Sequence, residues 1–351
     1  MEATATPTMD RTDKVIITAL QEEFPLVSRP FAAIGAPHGL GEPEVLARLR
    51  AIKAQNIVRQ ISAIFDTRTL GYQSSLVAMA THPEDELHAA HTLNAHPGVS
   101  HNYKRDHHFN IWFTIAVPPH SSLEDTVAVL HREARAISTR ILPTLKLFKI
   151  GVTLDMTGEA DPTRQSAPAY GEFRRLVAPP PLTAEDLTYI RLLQEDLPLV
   201  SQPYAQLAAS AGRTEEDLFA WTSIAIERGQ LRRIAAVLHH RKAGFKANGM
   251  AVWKVPVEQV DVVGDRMAHF TSVSHCYQRP TYEDWPYNVF SMIHARTVAE
   301  CEQVADAIAS ETGISERAML YSSTEFRKIR LRYFTPELDE WESRHLAATP
   351  A

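Results

Sequence analysis

The sequence predicts an α+β protein made by tandem duplication, each half a helix-turn-helix module followed by a ferredoxin-like βαββαβ domain. Three observations predict it. Residues Glu22 to Phe31 (EEFPLVSRPF) return as Glu195 to Tyr204 (EDLPLVSQPY), an offset of 173 residues. Residues Val99 to Arg105 (VSHNYKR) return as Val273 to Arg279 (VSHCYQR), an offset of 174. In both halves the hydrophobic pattern passes from helical spacing to strand alternation in the same order. Landmarks displaced by nearly one distance make the halves copies, and two copies on one chain imply a pseudo-twofold pair with a shared cleft.

The helix-turn-helix modules are expected over 13–60 and 184–233. In the first, Val15, Ile16, Ala19 and Leu20 stand at helical spacing, and the pattern breaks at Pro25. A short second helix is expected around Pro30 to Ile34, then the turn Gly39-Leu40-Gly41, then a third helix from about Pro43 through Val45, Leu46, Leu49 and Ile52. The ferredoxin-like domains follow over 61–154 and 234–334. Ile61 to Phe65 and Tyr72 to Met79 read as strands, and Glu84 to Leu93 as helix. Val99 to Arg105 and Phe109 to Val117 read as paired strands, Leu123 to Ile141 as helix and Thr144 to Gly151 as a closing strand. Residues 155–183 hold Pro162, Pro168 and Pro179-Pro180-Pro181 without any period, the pattern of an exposed linker or surface strap, and 335–351 read as a C-terminal tail.

Composition narrows the function classes. A net charge of −6 argues against a dedicated nucleic-acid coat. The two cysteines, Cys276 and Cys301, form neither a metal spacing nor a disulfide framework, so a reducing cytoplasm is the expected compartment. The polar stretch Met1 to Thr12 does not read as a signal peptide, and no apolar run approaches the ~20 residues that cross a bilayer. There is no phosphate loop, no His-Glu-x-x-His helix, no nucleophile elbow and no Cys-x-x-Cys pair, so no dedicated metal site is expected.

A helix-turn-helix ahead of a ferredoxin-like domain is also the plan of the Lrp/AsnC transcription regulators. DNA reading needs donors and cations at the start of the third helix. This chain places Glu42, Pro43 and Glu44 there in one half and Glu215, Glu216 and Asp217 in the other. Carboxylates oppose a polyanion, and DNA binding is not expected.

The repeated strand carries the chemistry. Period-two alternation puts Val99, His101, Tyr103 and Arg105 on one face and Ser100, Asn102 and Lys104 on the other. The next strand sets Phe109, Ile111, Phe113 and Ile115 as a core face, with His108, Asn110, Trp112 and Thr114 opposite. The second half offers His275, Tyr277 and Arg279, then Trp285, Tyr287 and Asn288 after an insertion. An imidazole exchanges protons near neutral pH, a phenol donates, and a guanidinium grips a carboxylate through two parallel hydrogen bonds. Arg68 and Arg241 follow the first strand of each half and offer a second grip. A solvated sheet face is the plainer alternative, weakened because packing rarely demands one polar triplet twice.

The segments His96 to Arg105 with Phe109 to Thr114, the Phe-Pro-Leu-Val segment, Phe65 to Tyr72 and Trp285-Pro286-Tyr287-Asn288 together resemble the siroheme decarboxylases. The resemblance spans almost the whole chain outside the termini and linker, and it is to the fused form of a family that often works as two homologous subunits. It implies removal of carbon dioxide from the C12 and C18 acetate side chains of siroheme, giving 12,18-didecarboxysiroheme for heme or heme d1 synthesis. No added cofactor is implied, since the macrocycle delocalises the electrons left behind and siroheme brings its own iron. Expected proton donors are His101 and His275, with Tyr103 and Tyr277 orienting or relaying. Arg68, Arg105, Arg241 and Arg279 are expected to hold carboxylates, Trp112, Trp285 and Tyr287 to line the macrocycle, and Asn110 and Asn288 to join the binding set. The same histidines are alternative axial ligands of the substrate iron. Possible partners are homologous subunits or a second copy of the chain. A DNA-binding regulator and a tetrapyrrole sensor or carrier are the alternative functions.

Overall fold

The structure is a computed structural model that describes residues 9–22, 24–150, 161, 163–166, 181–238 and 247–346. Its helices are α1 (Arg11–Glu22), α2 (Pro30–Gly35), α3 (Glu42–Ala54), α4 (Glu86–Ala95), α5 (Leu123–Glu133), α6 (Ala184–Leu193), α7 (Pro203–Ser210), α8 (Glu215–Glu227), α9 (Val260–His269), α10 (Val298–Thr312) and α11 (Pro336–His345). Its strands are β1 (Val58–Phe65), β2 (Gln73–Ala80), β3 (Val99–Arg105), β4 (Ile111–Val117), β5 (Ser138–Leu142), β6 (Lys146–Ile150), β7 (Leu231–Leu238), β8 (Ala247–Trp253), β9 (Val273–Gln278), β10 (Val289–Ala295) and β11 (Arg317–Lys328). The chain divides into a helical unit, Met1–Tyr72 with Leu176–Lys242 and Arg332–Thr335, and a sheet unit made of the rest. None of the described helices is long and apolar enough to cross a membrane.

In the helical unit, Pro30 opens α2 in its first turn, and the helix tightens through a 3-10 turn to Gly39. Gly39 has φ of 69°, a left-handed conformation that glycine takes without steric cost. Ile16, Leu20, Phe31, Val45 and Leu49 fill the space between α1, α2 and α3. Strand β1 pairs antiparallel with β7, Ala63 facing Ile234. The sequence placed 61–65 at the head of the ferredoxin-like domain; its partner is the matching strand of the other half, so it belongs with the helices instead.

The repeated Pro-Leu-Val segments acquire a physical reason here. The Phe24 amide donates to the Ile234 carbonyl at 3.0 Å and the Leu197 amide to the Ile61 carbonyl at 2.7 Å, so each half extends the other half's strand. Ser28 donates to Glu215, and Ser201 donates to Glu42 at 2.7 Å. Arg29 also pairs with Glu42, which is buried. The carboxylates that start α3 and α8 therefore fasten the two modules to each other, beyond any benefit to the helix dipole.

In the sheet unit, β2-α4-β3-β4-α5-β5 and β8-α9-β9-β10-α10-β11 are the two ferredoxin-like repeats. The strand order β5-β2-β4-β3-β11-β8-β10-β9-β6 sets two four-stranded sheets side by side and joins them where β3 meets β11. Strand β11 begins on β8 of its own half and, from Ser322, continues on β3 of the other. The first half does the same in two pieces, β5 on β2 and β6 on β9, parted by Pro143-Thr144-Leu145. Helices α4 and α5 cover one core, with Val99, Ile111 and Phe113; α9 and α10 cover its copy, with Val273, Val289 and Ile293. A third core joins the sheets' other faces, with Ala78, Trp112, Leu142, Val252, Trp285, Phe290 and Leu320.

Two expectations change. The helix expected over Leu123 to Ile141 stops at Glu133, because Arg135 takes φ of 54° and the β-branched run that follows forms β5. The C-terminal tail contains α11, whose Trp341 is buried in the α4–α5 core against His96, with the ring centroids 4.2 Å apart. Most of the expected linker lies outside the described residues; within it, Gln165 bridges to Phe270.

Candidate functional site

A one-residue irregularity decides which face the motif presents. Val99 lies opposite Ile115, but His101 lies opposite Thr114, so Ser100 is the extra residue of a β-bulge. Val273 lies opposite Ile293 and His275 opposite Met292, which makes Ser274 the matching bulge. Val99 therefore faces the helices instead of sharing a face with His101, as uninterrupted alternation required. Beyond the bulge the expected alternation holds. Asn102 donates to the Ala90 carbonyl and Lys104 pairs with Glu86 on the helical side. His101 and Tyr103 lie beside Thr114 and Trp112 on the inter-sheet side.

Two His-Tyr-Arg rows thus address the space between the sheets. His101, Tyr103, His275 and Tyr277 are all half-buried. The His275 imidazole is pushed down to about 4 by burial, then by the Arg279 guanidinium, then by His101. His101 thus acts on His275 electrostatically across the halves. Each imidazole has a hydroxyl at its Nδ1: Ser100 Oγ is 3.0 Å from His101 and Ser274 Oγ is 2.8 Å from His275. No sequence signal marked these serines, because alternation turned them away from the histidines. Lys328 and Glu325 of β11 lie opposite His101 and Tyr103, also unforeseen because that pairing crosses the halves.

The arginines of the motif each reach a backbone carbonyl of the opposite half. Arg105 Nη1 donates to the Leu320 carbonyl at 2.6 Å, and Arg279 donates to the Leu142 carbonyl. Each guanidinium thereby clamps the closing strand of the opposite half. Arg279 also lies 4.9 Å from the Tyr277 ring centroid and Arg105 5.8 Å from that of Tyr103, which fixes the phenol rows. Burial pushes Arg105 down to about 10, well above neutrality, so it stays charged.

The asparagines are likewise committed. Asn110 accepts from the Thr81 amide at 2.9 Å and donates to the Thr81 carbonyl and to Glu86; Asn288 accepts from and donates to Val255. Both pin the strand ends that carry the motif. Trp112 and Trp285, at 1% and 0% exposure, meet edge to face at 5.2 Å within the third core. Tyr287 packs on Trp285 at 5.1 Å and is half-buried. Arg68 belongs to the helical unit, in the turn after β1, where its amide donates to Asp66. Arg241 lies outside the described residues.

The halves differ at the loop before the second motif strand. In the second half, Tyr282 Oη donates to the Ile141 carbonyl at 2.6 Å, and Asp284 takes a bidentate grip from Arg140 at 2.8 and 2.7 Å. The insertion thus closes onto β5 and seats Trp285 in the third core, whereas the shorter loop of the first half places His107 against the Trp285 ring.

The chain matches two family models, each twice: an AsnC-like ligand binding domain over 69–149 and 242–327, and a siroheme decarboxylase NirDL-like HTH domain over 13–59 and 187–232. It is 39% identical to a siroheme decarboxylase of Hydrogenobacter thermophilus, over 95% of this chain and 98% of that one. It is 40% identical to a siroheme decarboxylase beta subunit of Methanosarcina barkeri, which aligns over 97% of its own length but 42% of this chain. Among solved structures it resembles the siroheme decarboxylase NirDL in co-complex with an iron-uroporphyrin III analogue, at TM-score 0.76 and 35% identity, covering 95% of this chain and 98% of that one.

Proposed function

The chain belongs to the siroheme decarboxylases, and from that premise we propose that it removes carbon dioxide from the C12 and C18 acetate side chains of siroheme, giving 12,18-didecarboxysiroheme. The observation that carries the reading is the pair of His-Tyr rows, one in each half, each turned to the inter-sheet side by its own bulge.

The chemistry asks little beyond placement. The bond between the methylene and the carboxylate breaks, carbon dioxide leaves, and the electron pair stays on a carbon conjugated with the macrocycle. A proton must then reach that carbon to complete a methyl group. His101 and His275 are our proton donors, with Tyr103 and Tyr277 beside them as orienting or relaying groups. The buried aromatic pair of Trp112 and Trp285 keeps water from beneath the reacting carbon. Arg105 and Arg279 hold the walls together, with Tyr287 at the edge of the macrocycle. The protein supplies no cofactor in this scheme; the tetrapyrrole is both substrate and electron sink. The half-length beta subunit relative supports a fused pair, each half equivalent to one subunit. The buried, unbridged Cys276 and Cys301 support a reducing compartment, which we take as the cytoplasm.

The positions are testable apart from the activity. Two-dimensional NMR of the demetallated product is expected to show new methyl groups at C12 and C18 with the other side chains intact. Methyl groups elsewhere on the ring would refute the assignment.

A further inference from the structure

The two bulges bring together residues that a regular strand keeps apart. Neighbouring side chains of a strand point to opposite faces, so a serine does not ordinarily reach the imidazole that follows it. Ser100 and Ser274 do so because each is the extra residue of its bulge. Both are buried, and the same contact is built independently in each half. Ser274 Oγ has a further neighbour, the Met292 carbonyl at 3.3 Å. A carbonyl only accepts, so with the single hydroxyl proton on Met292 it is His275 Nδ1 that donates to Oγ.

We propose that Ser100 and Ser274 are positioning residues that lock the two imidazoles by their Nδ1 atoms, turn Nε2 into the cleft, and at His275 fix the tautomer that carries its proton on Nδ1. In that tautomer Nε2 presents a lone pair, so it is the atom that picks up the proton later handed to the new methyl carbon. The catalytic use of the lock rests on the decarboxylase reading; the lock itself does not.

The experiment compares Ser274→Ala, Ser274→Thr, Ser100→Ala and Ser100→Thr in the full-length chain. Nitrogen-15 histidine spectra at pH 7 report the tautomers, and anaerobic turnover of siroheme reports kcat and KM. The alanine variants are expected to lose roughly 10- to 100-fold in kcat with KM nearly unchanged, up to the lower end of what proton-transfer catalysis supplies. Threonine keeps the hydroxyl and is expected to recover most of that loss. In Ser274→Ala, His275 is expected to move its proton from Nδ1 to Nε2. An unmoved His275 tautomer in Ser274→Ala overturns the lock, as does a threonine variant as impaired as alanine, which marks a packing role. Should the wild-type chain leave siroheme unchanged, the decarboxylase reading falls, and the spectra alone decide the lock.

Discussion

Replacing His101 or His275 by Ala lowers kcat for siroheme decarboxylation by about 100- to 10,000-fold, the range general acid–base catalysis supplies, while the fold and substrate binding persist. Both imidazoles are half-buried at the bulge, so their loss leaves space beside the cleft without opening any of the three cores. A linked pH effect accompanies the His275 change. In the substrate-free protein its burial, Arg279 and His101 hold it at about 4, so it is neutral at pH 7. A substrate carboxylate beside it favours the charged form and raises that value. Binding is therefore expected to take up protons as pH falls toward the raised value, seen at acidic pH as a dependence of the calorimetric binding enthalpy on buffer ionisation enthalpy. His275→Ala is expected to reduce the uptake. Full turnover in both single variants would remove the histidines from the mechanism.

The largest stability effect is expected at Trp285. Its ring is fully buried and touches Phe109, Trp112, Tyr287 and Phe290, with His107 at its edge. Trp285→Ala removes one of the two tryptophans of the core between the sheets, and truncation of such a residue costs about 3–5 kcal/mol. Urea unfolding followed by far-UV circular dichroism is expected to show a lower midpoint and an unfolding free energy reduced by that amount. The insertion around Tyr282 and Asp284 holds Trp285 in place from the surface, so Asp284→Ala produces a smaller shift in the same direction. A Trp285→Ala midpoint equal to wild type would show that this cluster does not join the sheets.

Much of this arrangement was legible in the sequence. The duplication, the helix-turn-helix outline and the strand bearing His101 and His275 came from repeated residues and local periodicity. The bulge was not, because an extra residue is defined only against a partner strand, and β4 and β10 alone say nothing of register. The strand exchange between β1 and β7 was hidden for the same reason: Ile61 and Ala236 pair across the repeat, where no local pattern points. Arg105 looked like a carboxylate grip because its acceptor, the Leu320 carbonyl, lies far along the chain. Glu42 looked like a helix-start carboxylate because Ser201, which donates to it, belongs to the other half.

The measurement that tests the central claim most directly is anaerobic incubation of the purified chain with siroheme, with the products resolved by mass spectrometry. Two histidine rows, one in each half, predict the loss of two carbon dioxide units from siroheme by this chain alone. Siroheme returned at its starting mass would contradict the account.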